Sequence, residues 1–209
     1  SGETELFQNE KGITIKIDRS RDENLTDFGR ATLTDRYLGQ SESFQDLFAR
    51  VSSVYADDNL LLMKRLPDGE KINTRAERHA ADLVAALHDV TNPSFGFERD
   101  TVIGGLHQAN PPSTCWLEFF RDHRLLDMGY RGVASGRLPK TVMTRLECLA
   151  NRLGNWIEEP VQPSLVHGDM WGGNVLCRKG EITGFVDPAI YFADAEIELA
   201  FTTLFGTFG

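Results

Sequence analysis

Apolar residues recur every three or four positions in several stretches of the chain, and this spacing predicts amphipathic helices. In "TRAERHAADLVAALHDV" the apolar positions that share one helical face are Ala76, Ala80, Leu83, Val84 and Leu87. In "KTVMTRLECLANRLGNWIEE" they are Val142, Leu146, Leu149, Leu153 and Trp156. In "AEIELAFTTLF" they are Ile197, Ala200, Phe201 and Leu204. The segments "SESFQDLFAR" and "CWLEFFRDHRLLDMGY" show shorter helical patterns.

Alternation of apolar and polar residues predicts strands in three other places. "GITIKI" (12–17) has the period of two that is typical of a half-buried strand. "VSSVYADDNLLLMKRL" (51–66) predicts two strands joined by an Asp-Asp-Asn turn, and "NVLCRKGEITGFVDP" (174–188) predicts a hairpin with a Lys-Gly turn. The segment 95–114 is rich in Gly, Pro and Asn, which predicts a long ordered loop.

The order of these elements indicates the fold class. Strands come first and helices second, with one hairpin placed among the helices, which predicts an α+β fold with two lobes. A turn signal, "PDG", follows the last of the early strands. We therefore expect a small β-rich lobe over residues 1–63 and a larger, mostly helical lobe over residues 64–209.

Composition narrows the function classes. The chain has 209 residues, of which 41% are hydrophobic, and its formal net charge is −9, which argues against nucleic-acid binding as the main role. No apolar run approaches the roughly 20 residues of a membrane-spanning helix, and no signal-peptide pattern is present. Cys115, Cys148 and Cys177 are far apart, which is typical of reduced thiols and makes a cytoplasmic location the expectation. Nothing in the pattern indicates the oligomeric state.

The residues with the clearest chemistry lie in "HGDMWGGN" and "FVDPA". Asp169 and Asn174 are five positions apart, which is the interval between the acid and the amide in the catalytic loop of protein kinases, H-R-D-x-x-x-x-N. Asp187 follows at the end of the predicted hairpin, which would bring it back to the same metal ion. The alternative is that these are ordinary turn residues. The full set at both intervals favours phosphoryl transfer, whereas His167 is expected only to hydrogen-bond the loop backbone.

Lys16 is the candidate for contact with nucleotide phosphates, because it lies on a predicted strand ahead of the hinge between the lobes. The alternative is a solvent-facing lysine on an edge strand. A carboxylate partner is expected from the following helix, and Glu42 and Asp35 are both candidates.

Further along, "LLLMKRL" has the form of a strand that enters a hinge. We expect Met63 to line an adenine pocket, and we expect the base edge to pair with backbone groups of Lys64 and Leu66.

The segments "LVHGDMWGGNVL", "FVDPAIYFADAEIELA" and "IGGLHQANPPSTCWLEFFRDHRL" together resemble the fructosamine/ketosamine-3-kinase family. This family belongs to the aminoglycoside-phosphotransferase branch of the protein-kinase-like fold. The resemblance covers roughly residues 60–209, and its most specific elements are the Trp-Gly-Gly-Asn and Asp-Pro-Ala sequences.

The resemblance implies ATP-dependent phosphorylation of the sugar 3-hydroxyl of ketosamines, which are glycation adducts of the ribulosamine and fructosamine type. On this reading Asp169 is the catalytic base, Asn174 and Asp187 are ligands of Mg²⁺, and Trp171 forms one wall of the ketosamine pocket. Two other functions stay open. The chain could be a kinase for another hydroxylated amine, such as an aminoglycoside or choline. It could also be a nucleotide-binding pseudokinase, because "SGETELF" keeps at most a fragment of the glycine-containing hairpin of the family.

Overall fold

The computed structural model describes residues 66 and 68–208 in full, and it describes the backbone of four earlier strands at 4–8, 13–18, 55–56 and 61–64. The predicted helix at 41–50 lies outside the described residues. The candidate acid partners Glu42 and Asp35 and the predicted turn at 57–59 also lie outside them. None of the described helices is both long enough and apolar enough to cross a membrane.

The early strands form one antiparallel sheet in the order β1-β2-β4-β3. Their bounds are Thr4–Gln8 for β1, Ile13–Asp18 for β2, Tyr55–Ala56 for β3 and Leu61–Lys64 for β4. The strands predicted at 12–17 and within 51–66 are confirmed. β1 is an additional strand that pairs with β2 along its whole length.

The rest of the chain is mainly helical, with short strands inserted. The helices are α1 (Thr74–His88), α2 (Trp116–Phe120), α3 (Asp127–Ala134), α4 (Lys140–Ala150) and α5 (Ala195–Leu204). The strands are β5 (Thr101–Ile103), β6 (Leu106–Gln108), β7 (Ser164–Val166), β8 (Val175–Arg178), β9 (Glu181–Phe185) and β10 (Tyr191–Ala193). A π-helical segment, Arg121–Leu126, joins α2 to α3, and single 3-10 turns lie at Leu153–Asn155 and Gly172–Asn174.

Helix α1 begins where the sequence supplies a cap. The Asn73 side chain accepts hydrogen bonds from the backbone N–H of Arg75 and Ala76, at 3.1 and 3.0 Å, and so satisfies two amides that the helix leaves unpaired. All five residues of its predicted apolar face are buried, as expected from their spacing. This face packs against β7 and β9 and forms part of the hydrophobic core.

The hairpin β8–β9 is confirmed, and it is attached to α1 by a side chain. The Nδ1 of His79 accepts a hydrogen bond from the backbone N–H of Ile182 at 3.0 Å. The ends of this hairpin are therefore held relative to the core of the helical region.

The apolar face predicted from Val142 to Trp156 is only partly confirmed, because Leu153 is buried and Leu146 lies against Gly129, whereas the other three members are exposed. Helix α4 ends at Ala150, and Val142 and Trp156 of the predicted face are 41% and 65% exposed. The buried residues are Met143 and Ala150, because α4 packs against α3 one position further round. A Cβ on Gly129 of α3 would lie 2.7 Å from the Sδ of Met143, so the two helices approach closely at that glycine.

The predicted face of α5 is also wrong. Leu204 is 77% exposed, whereas Glu198 and Thr202 are buried. The predicted loop at 95–114 contains the hairpin β5–β6, whose strands have only three residues each and are therefore too short for alternation to reveal them. In both places tertiary contacts override the local pattern.

Candidate active site

Two loops come together at the ends of neighbouring strands, and they carry the acids that the sequence singled out. The first loop (167–174) follows β7, and the second loop (186–190) precedes β10. Because β7 and β10 are antiparallel partners, with Val166 opposite Tyr191, the start of the first loop lies beside the end of the second. The same two loops are also joined through the hairpin β8–β9.

Backbone hydrogen bonds lock the two loops to each other. The N–H of Ala189 donates to the carbonyl of His167 at 2.8 Å, and the N–H of Val186 donates to the carbonyl of Asn174 at 2.9 Å. The Nε2 of His167 donates to the carbonyl of Val186 at 2.9 Å. The loops that carry Asp169 and Asp187 are thus one hydrogen-bonded unit, as the hairpin argument requires.

Gly168 is required where the loops touch. Its φ of +81° lies in the left-handed region, and a Cβ there would overlap the carbonyl oxygen of Ala189 and lie 2.9 Å from its carbonyl carbon. Since the obstacle is backbone, no rotamer change could relieve it. The glycine of His-Gly-Asp is therefore explained by contact with the second loop.

Asn174 fixes the side chain of Asp169. Its Nδ2 donates to the Asp169 carbonyl at 2.8 Å and to the Asp169 Oδ2 at 3.0 Å. Asn174 itself is only 5% exposed. Both bonds use the amide nitrogen, so Oδ1 is turned away from Asp169 and offers the oxygen that can bind a cation. The five-residue interval thus corresponds to a direct side-chain contact.

Asp187 is exposed and has a φ of +51°, which is uncommon for a residue with a side chain. Such backbone conformations cost free energy and persist where the surroundings enforce them, often at functional sites. Here the neighbouring residues Val186 and Ala189 supply the restraint, because each is hydrogen-bonded to the first loop.

His167 is buried between the loops, and burial lowers the pKa of its imidazole from the ordinary value of 6.5. Glu198, the carbonyl of Val186, Asp169 and Asp187 oppose this shift. Both predicted acids therefore act electrostatically on the same ring. The neutral imidazole donates from Nε2 and accepts the N–H of Asp169 at Nδ1 (3.3 Å), which is the backbone-bonding role that the sequence predicted.

Glu198 supports the first loop from below, and sequence reasoning missed it. Its Oε1 accepts the N–H of Gly168 at 2.9 Å, and its Oε2 lies 2.9 Å from the Nε2 of His88. The residue is 2% exposed. The available signal was a glutamate between Ile197 and Leu199 in α5, since a buried carboxylate requires donors. His88 is the last residue of α1, so this contact also links α1 to α5.

A second missed residue, Gln108, holds the second loop from the other side. Its Nε2 donates to the carbonyl of Ala189 and to the Oγ1 of Thr101, both at 3.0 Å. Asn110 donates to the same Oγ1 at 2.9 Å and accepts from the Nη2 of Arg124 at 2.6 Å. The Gln-x-Asn sequence thus forms a buried polar network beneath the loop.

The structure places the predicted nucleotide residues on or next to the antiparallel sheet. Lys16 lies on β2, which is an inner strand, so the edge-strand alternative is wrong. Lys16 pairs with Leu61 and Met63 pairs with Thr14, so Lys16 and Met63 occupy positions on the same face of the sheet. Lys64 ends β4.

Leu66 follows this strand and contacts the hairpin β8–β9. It is 7% exposed, and its Cδ1 occupies the space that a Cβ on Gly184 would need. Leu66 therefore packs on β9, between the two loops that the hairpin joins.

The donor set determines which metal site is feasible. Within residues 66 and 68–208, no group of three or more His, Cys, Asp or Glu side chains is placed to hold a metal ion. Asn174 and Asp187 offer one amide oxygen and one carboxylate. This set fits Mg²⁺ that is also bound by substrate phosphates, because such ions need only one or two protein carboxylates.

Comparison with known proteins identifies relatives for most of the chain. Residues 35–209 match the family model described as fructosamine kinase. A probable ketoamine kinase of Synechocystis is 38% identical over 130 residues, which cover 60% of this chain and 42% of the relative. The chloroplastic protein-ribulosamine 3-kinase of Arabidopsis thaliana is 30% identical over 120 residues, which cover 55% of this chain and 36% of the relative. The chain thus spans about half the length of these curated relatives or less.

Solved structures give the same grouping. A Thermobifida fusca structure described as a candidate fructosamine-3-kinase is 26% identical, with a TM-score of 0.77, and the match covers 97% of this chain and 73% of that one. An aminoglycoside phosphotransferase is 14% identical, with a TM-score of 0.57, over 95% of this chain and 71% of that one, which shows a shared fold. The predicted α+β, protein-kinase-like fold is confirmed.

Proposed function

Because this chain belongs to the fructosamine kinase family, we propose that it transfers the terminal phosphoryl group of ATP to the sugar 3-hydroxyl of ketosamines. The ketosamines in question are ribulosamine-type and fructosamine-type glycation adducts, and the role is deglycation repair. One observation carries the proposal. The two loops that carry Asp169, Asn174 and Asp187 are hydrogen-bonded to each other, which supports a shared site for the three side chains.

Asp169 is proposed as the catalytic base. It is partly exposed, and its Oδ2 is held by Asn174, which fixes the direction of the carboxylate. A carboxylate held in this way can orient the acceptor hydroxyl and take its proton as the phosphoryl group is transferred. His167 is excluded from that role, because it is buried and already donates to a backbone carbonyl.

Asn174 and Asp187 are proposed as the residues that hold Mg²⁺ through Oδ1 and the carboxylate. When bound, the ion neutralises phosphate charge that develops during transfer. The contribution of the protein is to keep these two oxygens on one rigid unit, so that little reorganisation is needed when the metal nucleotide enters.

The nucleotide is proposed to bind between the sheet and the hinge. Lys16 would contact the phosphates and Met63 would line the adenine pocket, which their shared face of the sheet supports. The backbone groups of Lys64 and Leu66 would pair with the base edge. The corresponding division into a nucleotide-binding lobe (1–63) and a catalytic and substrate lobe (64–209) is part of the same proposal.

Trp171 is proposed as the wall of the ketosamine pocket. It lies two residues after Asp169 and is 46% exposed, which is unusual for an indole without a ligand to contact. The net charge of −9 and the free cysteines support a small-molecule or protein-bound ketosamine acceptor, rather than nucleic acid, and a cytoplasmic location.

The test is ATP consumption in the presence of a ribulosamine-bearing lysine derivative. We expect turnover by the wild type and loss of most turnover in Asp169→Asn, while thermal stabilisation by Mg·ATP is retained. Asp82→Asn on the exposed face of α1 is the matched control and is expected to retain full turnover.

Three results would contradict the proposal. Full turnover in Asp169→Asn would remove the assignment of the base. Transfer to an aminoglycoside or choline without transfer to the ribulosamine would indicate a different hydroxylated amine. Stabilisation by ATP without transfer to any of these acceptors would indicate a pseudokinase.

A further inference from the structure

Two neighbouring glycines of the first loop differ in what surrounds them. Gly172 and Gly173 both lie in the 3-10 turn before β8, and neither has a φ in the left-handed region. A Cβ on Gly172 would meet nothing within 4 Å. A Cβ on Gly173 would lie 2.5 Å from the Cζ2 and 2.8 Å from the Cζ3 of Trp171, and closer still to its Cη2. Of these two glycines, only Gly173 makes room for another group by lacking a side chain.

The group that uses this room is the outer rim of the indole. The three atoms Cζ2, Cη2 and Cζ3 are consecutive in the six-membered ring, so the ring of Trp171 rests on the backbone of its own loop at Gly173. We call this contact the indole seat. Because 46% of Trp171 is exposed, the indole seat supports a ring that is also accessible to a ligand.

The indole seat differs from the contact at Gly168. At Gly168 a side chain would strike backbone atoms of the second loop, and the φ of +81° adds strain. At Gly173 the three nearest atoms that a Cβ would meet all belong to the far end of the Trp171 side chain, which can rotate away. A substitution at Gly173 is therefore expected to move the ring and leave the loop folded.

We propose that Gly173 is a positioning residue that determines acceptor specificity, because it holds the indole of Trp171 in place for the amine-bearing part of the acceptor. This inference rests on the proposed ketosamine kinase function. The secondary amine of a ketosamine is protonated at neutral pH, and its sugar presents C–H groups. Both are recognised by the face of an indole, the cation through the ring quadrupole and the C–H groups through apolar contact.

The test compares Gly173→Ala with Gly172→Ala in steady-state kinetics. For Gly173→Ala we expect the KM for ribulosamine-bearing lysine to rise about 2- to 30-fold, which is the range that loss of a cation–π contact produces. The KM for ATP is expected to stay within about twofold, because the indole is proposed to contact the acceptor and not the nucleotide. Gly172→Ala is expected to match the wild type in both constants.

Two further measurements separate positioning of the ring from a backbone effect. The fluorescence of Trp171, obtained as the difference from Trp171→Phe, should shift in Gly173→Ala and stay unchanged in Gly172→Ala. In a double-mutant cycle, adding Gly173→Ala to Trp171→Ala should have no further effect on the acceptor KM, because the ring that would be displaced is gone.

The inference is overturned if Gly173→Ala behaves like Gly172→Ala, or if it impairs the enzyme equally in the Trp171→Ala background. If the wild type does not act on the ribulosamine at all, the proposed function fails by itself. The fluorescence comparison then still decides whether Gly173 holds the indole, since it needs no substrate.

Discussion

Removal of the Glu198 carboxylate should destabilise the protein more than any surface substitution on the same helix. In Glu198→Ala, the N–H of Gly168 and the ring nitrogen of His88 both lose their acceptor, and the site is buried at 2% exposure. Hydrogen bonds to charged groups contribute about 1.5–3 kcal/mol each, and breaking a buried charged pair costs about 3–5 kcal/mol. We therefore expect the free energy of unfolding to fall by about 3–5 kcal/mol.

Glu198→Gln separates shape from charge. The amide keeps an oxygen for the N–H of Gly168 and nearly the same volume, but its NH2 group now faces the Nε2 of His88, which must accept as the other neutral tautomer. The expected decrease in the free energy of unfolding is about 1–2 kcal/mol. Because Gly168 directly precedes Asp169, this variant should also lower turnover of the ribulosamine while it leaves the affinity for ATP nearly unchanged.

Urea denaturation of the three proteins measures these differences, with Glu196→Ala as the control. Glu196 lies in the first turn of the same helix and is exposed, so its removal should cost about 1 kcal/mol or less. A loss in Glu198→Ala that is no larger than the loss in Glu196→Ala would refute the reasoning, because it would show that the carboxylate is not needed as an acceptor.

Three further predictions concern the two loops. Asp187→Ala should weaken Mg·ATP binding about tenfold or more, as measured by titration with and without Mg²⁺. Gly168→Ala should lower the free energy of unfolding by more than about 2 kcal/mol, because it combines strain at a φ of +81° with overlap of the Ala189 carbonyl. Burial lowers the pKa of His167, so below its ordinary pKa of 6.5 the unfolded chain binds a proton that the native protein does not. Stability should therefore be retained above pH 6.5 and fall as the pH decreases, by at most about 1.4 kcal/mol per pH unit from this group.

Each of these predictions has a result that would contradict it. Unchanged Mg·ATP affinity in Asp187→Ala would remove that residue as a ligand. Equal stability of Gly168→Ala and Gly172→Ala would remove the argument from loop contact. For the histidine, His167→Gln should flatten the dependence of stability on pH between 6.5 and 5, and an identical slope in the two proteins would show that His167 is not its source.

Sequence alone predicted the parts of the site that are close together in the chain. The five-residue interval between Asp169 and Asn174 and the hairpin that leads to Asp187 are local patterns, and the structure joins them by hydrogen bonds. Glu198 could not be found in this way, because its partners Gly168 and His88 are 30 and 110 positions away. The prediction of the apolar face of α4 was inaccurate for a related reason. Apolar spacing identifies a face of a helix, but it does not show which neighbouring element will cover it.

The same limit applies to Gln108, which contacts the carbonyl of Ala189 across 81 positions. Its neighbourhood was predicted to be a loop because the strands that present it are three residues long. The role of the Gln108 amide can be inferred only from the folded structure, which shows the carbonyl that it binds.

The double attachment of Ala189 limits how far the loop that carries Asp187 can move. Its N–H is bound by His167 and its carbonyl by Gln108, so withdrawal of Asp187 would rupture two buried hydrogen bonds. At about 1 kcal/mol each, this leaves the withdrawn form in about 3% of molecules. Proline and alanine stand at the two positions after Asp187, where protein kinases carry the phenylalanine and glycine of a mobile activation motif. An on–off movement of this loop is therefore not expected as a means of control.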